Sequence, residues 1–235
     1  MHDLAQAFLL AFGMIAAGDP VLGEIVMRSL YVSLTAVAVA TAVGVPLGAF
    51  LAVAHFPGRR ALVVAMSALM GLPPVVVGLG VYLLLSRSGP LGVLGLLYTP
   101  TAMIIAQAIL VTPLIASLAR QAVEDLEADY RPYLQSLGMG PFERTATIVY
   151  DARANLATAV LAGFGRAIAE VGAVILVGGN IDHVTRVMTT AIALETSKGE
   201  LALALALGLI LIALSLVVNA LVYALKPQQA GGVRA

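Results

Sequence analysis

Cysteine is absent from the 235 residues, which excludes disulfides, thiol catalysis and Cys-based metal sites and leaves the redox compartment open. Imidazole is almost as scarce. His2, His55 and His183 are the three histidines, too far apart in sequence for a local metal motif, so they read as loop residues, with no metal and no cofactor expected. Charge is short as well: Asp, Glu, Lys and Arg make up 11% of the chain, against roughly 25% in an ordinary soluble domain. Thirteen basic and thirteen acidic residues cancel, so nothing in the overall charge points to nucleic acid. A Walker A loop is also missing. It needs Gly-x-x-x-x-Gly-Lys-Ser/Thr, so that backbone amides and a lysine can hold phosphates. The only lysines, Lys198 and Lys226, are followed by Gly199 and Pro227. The chain is therefore not expected to be an enzyme, and any ATP-driven step needs a second polypeptide.

What fills the chain instead is apolar: 60% of residues are hydrophobic and the mean hydropathy is +1.00. Too little polar material exists to face water all round, so the lipid bilayer is the expected surrounding. Uncharged runs long enough to cross about 30 Å of hydrocarbon, about 20 residues of helix, predict spans near 29–54, 61–86, 93–119 and 201–225. A fifth is expected over 154–178, apolar except for Arg166 and Glu170, because a charged pair inside such a run marks a helix packed against protein. Residues 1–24 are read apart. Leu4 to Gly18 is apolar apart from Gln6 but reaches only about 22 Å as a helix, and it follows Asp3 rather than the basic stretch of a secretory signal. An interfacial helix is the preferred reading there, a short tilted sixth span the alternative.

Arg59, Arg60, Arg120, Arg131, Arg144 and Arg153 fall in the 56–60 turn and the 120–153 segment, with Lys226 and Arg234 after the last span. The other side holds only Arg28, Arg87, Arg186 and Lys198. The positive-inside bias then puts the N-terminus outside and the C-terminus in the cytoplasm. The cytoplasmic 120–153 segment is patterned. Glu124, Asp125, Glu127 and Asp129 suit a polar helix face. Pro132 can start a short helix, Gly138 can end it in the left-handed conformation, and Pro141 can start another. Gly138-Met139-Gly140-Pro141 thus separates two helices, with Tyr133, Leu134 and Leu137 as an apolar knob. A plain loop covering its own helix ends is the alternative; size and patterning favour a docking element.

Gly138 followed ten residues later by Ile148 resembles the EAA loop of ABC importer permeases, although Pro132-Tyr133-Leu134 stand where Glu-Ala-Ala would and Tyr150-Asp151 where Leu-Pro would. The break Gly71-Leu72-Pro73-Pro74-Val75-Val76-Val77-Gly78, and Gly165-Arg166-Ala167-Ile168-Ala169-Glu170-Val171-Gly172-Ala173 leading into Gly178-Gly179-Asn180-Ile181, are similar to signatures of the molybdate, tungstate and sulfate permeases. The Thr189–Thr196 run looks most like the tungstate branch. The resemblance implies an all-α transmembrane domain of the type I ABC importer kind, multi-pass in a bacterial or archaeal plasma (inner) membrane. It implies a homodimer, a pair of cytoplasmic ATPase subunits that receives the loop, and an extracytoplasmic oxyanion-binding protein. Tyr133, Leu134, Leu137, Gly138, Met139 and Gly140 become the expected coupling residues. Pro73 and Pro74 are either a kink or a gate-lining bend. Arg166 and Glu170 share a helix face; an ion pair inside the bundle is favoured over an anion contact, since the acid cancels the field an anion would feel. The rival from another class is a self-contained secondary transporter, which would want inverted repeats and several intramembrane acids; only Glu170 is available.

Overall fold

Proline opens four of the ten helices, at the first-turn position where its missing N–H costs nothing, and the charge-free runs between set their lengths. The computed structural model describes residues 2–225, with the side chains of 2–5, 135, 141, 142 and 225 outside the description; Lys226 and Arg234, on which part of the charge asymmetry rests, also lie outside it. The helices are α1 (His2–Ala17), α2 (Pro20–Val53), α3 (Arg59–Leu69), α4 (Pro74–Leu85), α5 (Pro100–Ser136), α6 (Pro141–Asp151), α7 (Arg153–Ile168), α8 (Gly172–Gly178), α9 (Met188–Lys198) and α10 (Leu201–Leu225), with a short 3-10 turn at Gly92–Leu94. No strand occurs among the described residues.

Three helices, α2, α5 and α10, are long and apolar enough to cross a membrane, and counting the bent pairs α3–α4 and α7–α8 as one span each gives five. The run expected at 61–86, interrupted at 71–78, is two helices. It turns through 99° between α3 and α4, because Pro73 is extended and Pro74 restarts the helix. The run at 154–178 bends by 59° between α7 and α8. The third span begins at Pro100 rather than near residue 93. The first begins at Pro20, where Asp19 Oδ1 accepts the Val21 and Leu22 amides at 2.9 and 3.1 Å, so Glu24 and Arg28 ride on α2.

Helices α2 and α5 run side by side in the same direction: Val32 shares a core with Met103 and Ala106, and further along Gly48 faces Ala116. The approach there is so close that a Cβ on Gly48 would collide with the Ala116 carbonyl. α1 packs against α10, and Ala11 and Ile15 meet Ala206 and Leu207. Only 22% of the apolar window of α10 is buried within the chain, and Ile212, Leu216, Val217 and Leu221 point outward. A helix apolar all round with one side open needs lipid or another protein on that side.

The ends of the bundle differ. The 56–60 turn, the C-terminal part of α5, α6 and the start of α7 gather at one end, and the N-terminal ends of α2 and α5 with the 179–187 loop lie at the other.

Candidate functional site

At the first of these ends α5 does not stop at residue 119. It continues unbroken through Pro132 to Ser136, so Pro132 lies inside a helix and starts no new one. Gly138 then adopts φ +70°. The Leu137 and Met139 amides return to Tyr133 and Leu134 carbonyls at 3.3 and 3.4 Å, and glycine takes this left-handed geometry without a Cβ penalty. Gly140 is extended and Pro141 opens α6, with Glu143 Oε2 accepting the Gly140 amide at 3.4 Å. The result is a helical hairpin, α5 down and α6 back.

The hairpin has its own core. Leu134, Ile148, Ala152 and Leu156 pack with Ala49, Ala52, Ala119 and Val123, and Met139 lies against them. Leu134, expected on an exposed knob, is only 4% exposed: the unbroken helix turns it inward toward α6. Tyr133 and Leu137, at 66% and 58% exposed, form the outward apolar surface. Glu127, expected on a solvated face, is likewise buried at 5%; its carboxylate meets Arg131 at 2.9 Å and Arg144 of α6 at 3.5 Å. Sequence reading missed this tie, although the Glu127–Arg131 spacing of four was a signal for half of it. A second tie holds the preceding turn. Glu124 pairs with both Arg59 and Arg120, and Arg59 Nε donates to the Leu51 carbonyl at the end of α2 at 2.7 Å.

Away from the hairpin, the two broken spans meet. α4 packs on α8, so close that a Cβ on Gly78 would lie 2.7 Å from Ala173 Cα. Pro73 leaves its carbonyl to the Val76 and Val77 amides at 3.0 and 3.3 Å, which makes the Pro73-Pro74 bend an ordered corner. The α7–α8 break is stitched by side chains. Glu170, 4% exposed, pairs with Arg166 at 2.9 Å and accepts the Ala173 amide at 3.1 Å, capping α8. Thr189 Oγ1 donates to the Glu170 carbonyl at 2.8 Å and Gln107 Nε2 to the Ala167 carbonyl at 3.0 Å. Every one of these bonds satisfies backbone or charge that the bend exposes to an apolar interior. The two breaks lie side by side: a Cβ on Gly172, at the start of α8, would stand 2.8 Å from Val75 Cγ2, next to Pro74, and 3.6 Å from Glu170 Oε1.

At the opposite end Glu24 holds Arg28 at 2.6 Å and His183 at 2.8 Å, while Arg28 Nη2 donates to the His183 carbonyl at 2.7 Å. Asp182 holds Arg186 at 2.8 Å. The Glu24–His183 and Arg28–His183 bonds tie the 179–187 loop to α2; the spacing of four signals Glu24–Arg28 and Asp182–Arg186, but nothing local in the sequence joins residue 183 to α2. No group of three or more His, Cys, Asp or Glu that could hold a metal occurs among the described residues.

Residues 44–230 match the family of binding-protein-dependent transport system inner membrane components. The chain is 42% identical to a tungstate uptake system permease protein of Peptoclostridium acidaminophilum over 97% of this chain and 100% of that one. It is 44% identical to a probable anion ABC transporter permease protein of Haloferax volcanii, over 88% of this chain and 93% of the relative. A solved amino acid ABC transporter, crystallised with histidines, superposes with a TM-score of 0.67 over 91% of this chain and 95% of its own at 17% identity, a likeness of fold. The fold is that of a type I importer transmembrane domain. With the match covering most of its length and its long apolar helices accounted for, the chain belongs to the family of inner membrane components of binding-protein-dependent transport systems.

Proposed function

We propose that this chain is the permease of an ATP-driven oxyanion importer whose cargo is tungstate. It works as a homodimer with two cytoplasmic ATPase subunits and an extracytoplasmic binding protein. The observation that carries the cargo is the end-to-end similarity, 42% over 97% of the chain, to a permease named for tungstate uptake. The chain itself supplies no hydrolytic chemistry; its part is to be moved and to open a path.

The hairpin is the part that is moved. Tyr133 and Leu137 offer the apolar surface to the ATPase, Gly138, Met139 and Gly140 shape the tip, and Leu134 holds α5 and α6 together from within. Six arginines, Arg59, Arg60, Arg120, Arg131, Arg144 and Arg153, lie on this side in the sequence, and the positive-inside bias supports placing it in the cytoplasm. With 37 residues, α5 is about 55 Å long, so a push at the hairpin reaches the far end of the bundle through one helix. The Pro73-Pro74 corner, free of continuous helical hydrogen bonding, is the natural place for the path to widen. Arg166, neutralised by Glu170, serves the α7–α8 bend and does not select the anion.

The test is uptake into vesicles by the reconstituted complex with tungstate, molybdate and sulfate in competition. Tungstate is expected to enter, molybdate to compete and sulfate to compete poorly. Sulfate-selective uptake would overturn the cargo, and uptake without the ATPase would favour a secondary transporter.

A further inference from the structure

The four cations of the end opposite the hairpin are not equivalent. Arg28 is held by Glu24, Arg186 by Asp182 and Lys198 by Glu195. Arg87 has no carboxylate partner among the described residues, and the sequence holds no acid between Glu24 and Glu124. Arg87 lies where α4 ends and the chain turns toward α5, in the wall of an open recess of about 630 Å³ lined also by Tyr82, Ser86, Ser88, Gly92 and Tyr98. A cation left unpaired beside hydroxyl groups, with no acid to cancel its field, is what an oxyanion requires.

The wall is fixed rather than floppy. Tyr98 is held at φ +62°, a left-handed conformation that is unfavourable for a residue with a Cβ. Its amide donates to the Val177 carbonyl at 2.9 Å. Its ring packs on Gly179, where a Cβ would stand 2.9 Å away, and meets Tyr82 edge-on at 6.4 Å between centroids. Ser86 and Ser88 hydroxyl oxygens are 3.4 Å apart. The recess therefore joins the end of α4 to the turns that lead to α5, with Tyr98 anchoring its wall on the end of α8.

We propose that this recess, with Arg87 as its cation and the Ser86, Ser88, Tyr82 and Tyr98 hydroxyls around it, is a receiving site on the permease for a tetrahedral oxyanion. The proposal rests on the oxyanion reading above and deepens it. The hollow is far larger than one such anion, so the ion keeps part of its hydration and binds weakly through Arg87 and bridging water. Weak binding suits a station that must pass its cargo on.

The test uses the permease–ATPase complex in lipid nanodiscs, without binding protein, and equilibrium binding of radiolabelled tungstate at low salt. Uptake by the full complex is measured in parallel. Loss of one charge-assisted contact corresponds to about ten- to a hundredfold in affinity, so Arg87→Gln is expected to weaken tungstate binding at least tenfold. Arg87→Lys should retain part of it, and Arg60→Gln at the other end should change nothing. Arg87 is exposed, and an unchanged melting temperature in Arg87→Gln shows that the fold is kept. If the wild type takes up tungstate but Arg87→Gln binds it equally well, the receiving site is overturned and the importer reading stands. If Arg87→Gln loses only docking of the binding protein, with free tungstate bound as before, the recess is a protein contact and the site is again overturned. If the wild type takes up no oxyanion, both readings fall.

Discussion

Removing the Glu127 carboxylate should loosen the hairpin without unfolding the bundle. Glu127 Oε1 is shared between Arg131 and Arg144. Arg131 is 43% exposed and regains water when the acid is lost, so its pairing is worth little. Arg144 is only 20% exposed, and its Nε has no partner. Breaking a fully buried pair costs about 3–5 kcal/mol; with Arg144 partly wet and 3.5 Å away, about 2 kcal/mol is the scaled expectation for Glu127→Gln. That is roughly a 30-fold rise in local opening, read as hydrogen exchange of the α6 amides. Exchange in α2 and in the membrane part of α5 should not change. ATPase should still co-purify, since Tyr133 and Leu137 stay in place, while substrate-stimulated hydrolysis and uptake fall together. The decisive variant is the pair Glu127→Leu with Arg144→Met, which removes both charges. Apolar replacement of a buried pair is near neutral or stabilising, so protection and coupling should return. A double variant as loose as Glu127→Gln would refute the ion-pair argument, and so would a single variant with wild-type exchange.

Gly138→Val should insert and dimerise normally but lose ATPase co-purification: open space surrounds the glycine, so the penalty is the left-handed backbone alone, about 1–2 kcal/mol, together with a changed tip. Leu134→Asp should fail differently, by placing a charge in the hairpin core, seen as rapid exchange through α6; Tyr133→Ala should lose docking while α6 stays protected. Gly78→Val should abolish uptake and lower the melting temperature, because its side chain meets the Ala173 backbone rather than a movable side chain. Single cysteines at Ser136 and His55 should react with an impermeant thiol reagent only from the cytoplasmic side, and one at His183 only from outside; external labelling at Ser136 would end the coupling assignment.

How much of this was legible in the sequence depends on the kind of residue. Spans were legible because hydrocarbon demands about 20 uncharged residues whatever the fold, and Gly138 because a turn needing positive φ between two prolines leaves few other candidates. Pro73-Pro74 announced a break but not its angle, which is set by how α3 and α4 each find partners. The α7–α8 bend was hidden. Arg-x-x-x-Glu runs such as Arg166–Glu170 are ordinary in helices, and the bonds that stabilise the bend come from Gln107 and Thr189, distant in sequence. Pro132 misled in the other direction. Its missing amide suggests a helix start, yet α5 carries the proline on an exposed face, where the carbonyl left unpaired can meet water. Continuity through Pro132 turned Leu134 from knob to core, and the return of α6 brought Arg144 to Glu127.

The distribution of continuity and breakage also has a mechanical consequence. α5 runs from one end of the bundle to the hairpin at the other, and at Gly44 and Gly48 of α2 its backbone leaves no room for a Cβ, so these two helices are expected to move as one strut. α4 and α8 are short pieces, bent away from α3 and α7 by 99° and 59°, and they pack on each other through Gly78 and Ala173. A force on the hairpin therefore reaches a rigid pair on one side and a jointed pair on the other. Relative motion concentrates at the joints, because bending a continuous hydrogen-bonded helix costs far more than rotating about residues already outside the ladder. The Arg166–Glu170 pair sits at one joint and Pro73-Pro74 at the other. In the proposed importer the Arg166–Glu170 pair thus belongs to the hinge, and discrimination between anions is left to the outer end and to the binding protein.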